Sequence, residues 1–207
     1  AAKLTLEQVA ESSSGPKIFQ QYLYRDPELS LEFANRAMEA GYRGICITVD
    51  SKVKPKRERN IRNKYVSASP PNYDSIKLKP YSWDFNPDAP AGLNDIRDPG
   101  ATWEHLDWFV KSVSLPVVVK GIMTAEDAML AVEHGVSGII VSNHGGRQLD
   151  TTYSTIEVLP EIVEAVNDNC EVYIDGGIRR GSDVLKALAL GARAVLIGRP
   201  VFWGLAV

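Results

Sequence analysis

Six short, mostly apolar runs, separated by helical patterns and nearly all carrying a polar residue at the C-terminal end, constrain this chain more than any other feature. Residues 17–23, 44–50, 116–120, 138–142, 171–177 and 194–199 read as strands. A continuous apolar run bounded by glycine or proline is what a strand requires when both of its faces are covered. The intervening segments carry helix signals. Asp26 and Pro27 supply an N-cap and a proline at the first helical position. Leu29, Phe33, Ala37 and Ala40 follow at helical spacing, and Gly41 ends the pattern. Thr102 caps the next helix, Thr124 opens another with a capping-box-like pattern, a further helix runs from about 155 to 167, and Ser182 caps one that stops at Gly191.

Alternating apolar strands and helices mean an α/β fold with a parallel sheet covered by helices. Doubly wound sheets and barrels both satisfy that description. The placement of the polar residues separates them. Tyr22, Thr48, Asp50, Lys120, Ser142, His144, Asp175 and Arg199 all stand at or just beyond strand C-termini. In a TIM (β/α)8 barrel every strand delivers such a residue to one face, where the chemistry sits. In a doubly wound sheet only the strands beside the switch point do so. The expectation is therefore one barrel domain over residues 1–207, represented by about six of the eight βα units. On this reading it is a fragment incomplete at both ends, with its final helix falling beyond Val207. The segment 52–100 is too long for a plain βα connection and is expected to be a long loop or lid.

Composition narrows the function classes. A net charge of −3 disfavours nucleic acid or an anionic membrane as the main partner. No apolar run approaches the roughly 20 residues needed to span a bilayer, and the first residues have no signal-peptide shape. Cys46 and Cys170 show neither metal nor redox spacing and read as buried free thiols of an intracellular protein.

The chemistry concentrates in residues 138–150, where a buried strand breaks into Ser142, Asn143, His144, Gly145, Gly146 and Arg147. The glycines permit a sharp turn and close approach of a flat or anionic group. His144 can exchange a proton near neutral pH. Arg147 can hold a carboxylate or phosphate through two parallel hydrogen bonds. The competing reading is a polar turn whose histidine caps backbone groups. Asp50 is either a carboxylate that orients a base or a solvated cap. Lys120 ends an apolar strand, a poor place for a charge without a partner. Arg57 lies in a run of seven cations and one acid over residues 52–64, which is either a solvated loop face or part of a site.

Residues 142–150, Ser-Asn-His-Gly-Gly-Arg-Gln-Leu-Asp, resemble the active-site signature of the FMN-dependent 2-hydroxy acid oxidases and dehydrogenases, in particular the peroxisomal glycolate-oxidase branch. Residues 19–24, 47–50, 119–121, 175–181 and 198–200 are similar to further blocks of that family, in the same order. The resemblance implies FMN as cofactor and oxidation of an (S)-2-hydroxy acid, glycolate-like or longer in chain, to the 2-oxo acid, with O2 as electron acceptor giving H2O2 or, as in the dehydrogenases of the family, another acceptor. It implies His144 as catalytic base, Asp50 as the carboxylate that orients it, and Tyr22, Arg57, His144 and Arg147 as substrate-binding residues. It implies Gln20, Thr48, Lys120 and Ser142 around the flavin. Asp175, Gly176, Gly177, Ile178, Arg179, Gly198 and Arg199 would then form the ribityl and phosphate cradle. Around Arg57 the sequence departs from the family's Pro-Arg-x-Gly-Arg-Arg-like stretch. The resemblance also implies a peroxisomal homo-oligomer, a tetramer. The alternatives are an inactive barrel that keeps the fold, or another FMN- or phosphate-binding barrel enzyme. His105 and His134 read as helix residues, the latter placed to meet a helix C-terminus.

Overall fold

The computed structural model describes residues 4–53, 55, 56, 58–64, 72 and 96–207. Arg57 and most of the expected lid lie outside the described residues. Along the chain come α1 (Leu6–Glu11), β1 (Ile18–Gln21), α2 (Pro27–Glu39), β2 (Gly44–Thr48), α3 (Glu58–Arg62), α4 (Trp103–Ser112), β3 (Val117–Ile122) and α5 (Ala125–Glu133). Then follow β4 (Gly138–Val141), α6 (Thr155–Val166), β5 (Glu171–Ile174), α7 (Gly181–Ala189), β6 (Ala194–Val195) and α8 (Arg199–Ala206).

The strands form a single sheet in the order β1-β2-β3-β4-β5-β6, and every neighbouring pair is parallel. That order decides between the two architectures. A doubly wound sheet reverses direction at a switch point, whereas a barrel sets each strand beside its predecessor. The fold is six βα units of a TIM-type barrel.

Successive side chains on a strand face opposite ways, so each strand sorts its residues into two sets. One set, including Ile45, Ile47, Val119, Ile139, Val141 and Ile174, packs beneath the helices against Leu106, Phe109, Ala128, Leu159 and Ile162. The other set is smaller: Cys46, Val118 and Ile140 meet Tyr173 on the opposite face. Two residues further along that same face stand Thr48, Lys120, Ser142 and Asp175. Burial pushes the Cys46 thiol up to about 12, which leaves it an inert packing residue rather than a nucleophile.

One irregularity makes the polar row possible. The β3–β4 register shifts between Lys120 and Ile122, so Ile122 pairs with Val141 and joins the core beneath the helices. The extra residue is Gly121, with φ of +115°, and an added Cβ there would lie 2.7 Å from the Asp50 Cβ and 2.9 Å from its backbone nitrogen. Without this bulge Ile122 would follow Lys120 to the polar face.

The helix caps follow the sequence. Asp26 accepts from the Glu28 N–H at 3.1 Å, and Thr124 from the Asp127 N–H at 3.2 Å. His105 is itself a cap, its Nδ1 accepting from the Thr102 N–H at 3.1 Å. His134 caps α5, with its ring stacked on Trp103 at a centroid separation of 5.7 Å. β1, β2 and β5 stop two or three residues short of the ranges read from the sequence and β3 runs two residues further, and the largest differences lie near the C-terminus. β6 is only Ala194–Val195, and α8 already begins at Arg199, because Pro200 sits at its first turn. α7 begins at Gly181, one residue before the expected cap. The helix α1 was not anticipated; Thr5 and Gln8 form its capping box, with bonds of 3.3 and 2.9 Å.

Gly121→Ala is expected to cost about 1–3 kcal/mol, since it combines backbone strain with a clash against Asp50. Gly41 also has a positive φ, +82°, but open space at its Cβ position, so Gly41→Ala serves as the strain-only control. Urea unfolding should show the larger loss for Gly121→Ala; equal losses would mean that Asp50 yields without cost.

Candidate active site

The polar ends of β1 to β5 meet in one crown on the interior face. Gln20 donates through Nε2 to Thr48 Oγ1 at 2.9 Å. Lys120 Nζ donates to Ser142 Oγ at 2.7 Å, forms an ion pair with Asp175 Oδ2 at 3.2 Å, and lies 4.0 Å from Asp50 Oδ2. The Lys120 side chain is 15% exposed, so the two carboxylates are what make an ammonium tolerable at the end of an apolar strand.

Beside this cluster His144 Nδ1 meets Asp50 Oδ1 at 2.8 Å. The loop after β4 delivers the imidazole through an unusual backbone. His144 has φ of +58°, and Gly145 and Gly146 follow at +63° and +70°. Few residues other than glycine occupy this region, and those that do concentrate where function over-determines the geometry. The turn is held internally: the His144 N–H donates to Ser142 Oγ at 3.1 Å, and the Gly146 N–H to Asn143 Oδ1 at 3.2 Å. An imidazole with one nitrogen on a partly buried carboxylate is held in orientation and keeps its other nitrogen for proton transfer.

The remaining expected residues are distributed around the crown. Tyr22 follows β1, with the Arg97 guanidinium 3.8 Å from its ring centroid. Arg147 is exposed, and no hydrogen bond or ion pair among the described residues ties it to the crown. Gly176 and Gly177 follow β5 with φ of +91° and +76°, and Thr155 Oγ1 donates to the Asp175 carbonyl at 2.6 Å. Ile178 is buried, whereas Arg179 is exposed with its guanidinium 5.7 Å from the Trp203 ring centroid. Gly198 caps α8, and Arg199 Nη2 donates to the Gly145 carbonyl at 2.6 Å. Asp183 accepts from the Arg179 and Arg180 N–H groups, which hold its carboxyl below the usual carboxylate range.

Two contacts escaped the sequence reading. Gln148 donates through Nε2 to the Asp50 carbonyl at 3.0 Å. Arg97 donates through Nη1 to the Ser51 carbonyl at 3.1 Å and to Ser51 Oγ at 2.7 Å. Gln148 was visible in the nine-residue signature, but nothing in the spacing linked it to Asp50. A cavity of about 430 Å³ lies beside the crown rather than on it, lined by Tyr22, Thr48, Ser51, Arg97, Trp103 and Gly121 among others.

The crown fits a flavin nucleotide on its own evidence. Asp175 Oδ1 and Asp50 Oδ2 are buried without a hydrogen-bond partner, leaving acceptors for hydroxyl or N–H donors. Lys120, Thr48, Gln20 and Ser142 offer both donors and acceptors to the edge of a planar heterocycle. An added Cβ at Gly177 or Gly198 would meet nothing within 4 Å, so the backbone there is open to close approach.

Comparison with known proteins agrees. Residues 1–207 match the family FMN-dependent dehydrogenase. The chain is 48% identical over 213 residues to an L-lactate oxidase of Nostoc sp., covering 98% of this chain and 58% of that protein. It is 45% identical to 2-hydroxyacid oxidase 1 of Mus musculus, covering 99% and 57%, and 43% identical to a peroxisomal (S)-2-hydroxyacid oxidase of Arabidopsis thaliana, covering 98% and 56%. Among solved structures, a mandelate oxidase with benzoyl-formic acid superposes with a TM-score of 0.85 at 43% identity, covering 99% of this chain and 55% of that one. The chain thus spans a little over half the length of the relatives it matches. Sequence, strand order and crown agree that the chain belongs to the FMN-dependent dehydrogenase family, flavoprotein oxidoreductases whose relatives here are named L-lactate, 2-hydroxyacid and mandelate oxidases.

Proposed function

We propose that the protein oxidises an (S)-2-hydroxy acid, glycolate-like or longer in chain, to the 2-oxo acid, with O2 as the acceptor and H2O2 as the second product. The observation that carries this reading is the His144–Asp50 pair standing beside Lys120 on one crown. Oxidation removes two electrons and two protons from the substrate; FMN, when bound, supplies the two-electron acceptor and returns the electrons to O2.

The chain's own residues do the rest. Tyr22, Arg57 and Arg147 bind the substrate carboxylate, Arg147 reaching in from the same loop as the base. His144 takes a proton from the substrate through the nitrogen not facing Asp50. Asp50 keeps the ring in one orientation and offsets the positive charge the ring then carries, with its own backbone held by Gln148. Gln20, Thr48, Lys120 and Ser142 hold the flavin ring, and the Lys120 ammonium stabilises negative charge placed there. Asp175, Gly176, Gly177, Ile178, Arg179, Gly198 and Arg199 hold the ribityl phosphate, at the barrel position where backbone amides and cations serve phosphates. In this reading Arg199 exchanges the Gly145 carbonyl for phosphate. The protein acts as a peroxisomal homo-oligomer, a tetramer. The Arabidopsis relative's name supports the location, and no helix among the described residues is long and apolar enough to cross a membrane.

The full-length protein should be yellow, and anaerobic addition of glycolate, lactate or longer-chain 2-hydroxy acids should bleach it, with colour returning in air. A flavin that none of these reduces would overturn the reading. His144→Asn, chosen because asparagine tolerates a positive φ, should retain flavin while slowing bleaching by about 10²–10⁴. Undiminished bleaching would remove His144 from the chemistry. Arg147→Lys should weaken hydroxy acid binding far more than flavin binding, because a point charge cannot replace a planar fork; equal weakening of both would move Arg147 to the cofactor.

A further inference from the structure

The Arg97 guanidinium touches two parts of the crown that the chain itself keeps apart. One face lies over the Tyr22 ring, 3.8 Å from its centroid. Its Nη1 meanwhile donates to the carbonyl and hydroxyl of Ser51, a buried residue next to Asp50. Tyr22 comes from the end of β1 and Asp50 from the end of β2, and Arg97 bridges them from a segment distant in sequence.

Holding that segment in place does not require the side chain. Arg97 forms an antiparallel bridge with Tyr24, flanked by the Arg25 N–H to Ile96 carbonyl bond at 2.9 Å and the Asp98 N–H to Leu23 carbonyl bond at 3.1 Å. The Arg25 Nε also donates to the Arg97 carbonyl at 3.2 Å, and Ile96 is buried against Tyr24 and Phe33. The backbone is thus anchored by main-chain bonds and by its neighbour. The guanidinium, by contrast, leaves its Nε buried without an acceptor among the described residues, which a group serving stability alone would be expected to avoid.

We propose that Arg97 is a positioning residue: it fixes the Tyr22 ring so that the phenol meets the substrate carboxylate, and through Ser51 it keeps that phenol in register with the Asp50–His144 pair. This rests on the proposed hydroxy acid oxidation and adds to it a residue that touches neither substrate nor flavin. A guanidinium suits the task because its planar face covers the aromatic ring while its edge donates to Ser51. Lysine could supply the charge over the ring but not the fork.

The test uses the full-length holoenzyme and the hydroxy acid that bleaches its flavin fastest. Removing a desolvated cation from an aromatic face predicts that Arg97→Met raises KM on the order of tenfold, with kcat held within about threefold. Arg97→Lys should recover part of the loss. In a Tyr22→Phe background, where no phenol remains to be positioned, Arg97→Met should add nothing further. An unchanged KM in Arg97→Met, or the full loss again in the Tyr22→Phe background, would overturn the proposal. If no hydroxy acid reduces the unsubstituted protein, the oxidation reading falls by itself. Oxalate, a carboxylate with no α-hydrogen, is then titrated by flavin absorbance. Weaker oxalate binding in Arg97→Met supports the positioning role, and unchanged or undetectable binding overturns it.

Discussion

A single ammonium at the end of β3 organises the chemistry of this molecule. Lys120 reaches Ser142 just beyond β4, Asp175 beyond β5 and, at longer range, Asp50 beyond β2, so one cation gathers the ends of four neighbouring strands. Neither carboxylate could be buried there alone without a severe desolvation cost, and neither could the lysine. The cluster is therefore mutually dependent, and through Asp50 it sets where the His144 imidazole stands. It does not need to be optimal for stability. Among the described residues one oxygen of Asp50 and one of Asp175 have no hydrogen-bond partner, so the fold leaves part of the cluster's hydrogen-bonding capacity unused.

Much of this was legible in the sequence because the signals are local. Asp26 with Pro27, and Thr124 three residues before Asp127, announce helix starts through bonds spanning two or three residues. The polar residue closing each apolar run, read with the two-residue period of a strand, was enough to bring Thr48, Lys120, Ser142 and Asp175 to one rim. The sequential strand order then decided in favour of a barrel. Where the reading fell short, the deciding contact was distant or backbone-encoded. The Gly121 bulge depends on the position of Asp50, and Arg97 finds Tyr22 and Ser51 only after the chain has folded. The start of α8 at Arg199 was hidden for a different reason: leucine and isoleucine at 196 and 197 prolong a strand-like apolar pattern past the point where pairing stops. The box at Thr5 was a plain local signal that went unread.

The two faces of the sheet have separate duties. Beneath the helices, branched aliphatic side chains pack against alanine, leucine and phenylalanine, and their identity answers to volume. On the interior face the filling is narrower, Cys46, Val118 and Ile140 with Tyr173, and serves as a floor for the crown. Cys46 illustrates the division. It stands two residues before Thr48, close to the reactive rim, yet burial keeps its thiol protonated and inert.

The sequential strand order has a consequence for how the chain is made. Within this sheet each strand after β1 docks on an edge built by the segment already synthesised. A nascent chain leaving the ribosome can thus lengthen its sheet one unit at a time, with each following helix covering the newest addition. Assembly of the rim follows the same timetable. Gln20 is in place first, Thr48 and Asp50 follow, Lys120 arrives next with a carboxylate neighbour already available, and the histidine loop comes only after the cation is seated. Synthesis order and charge neutralisation run in step.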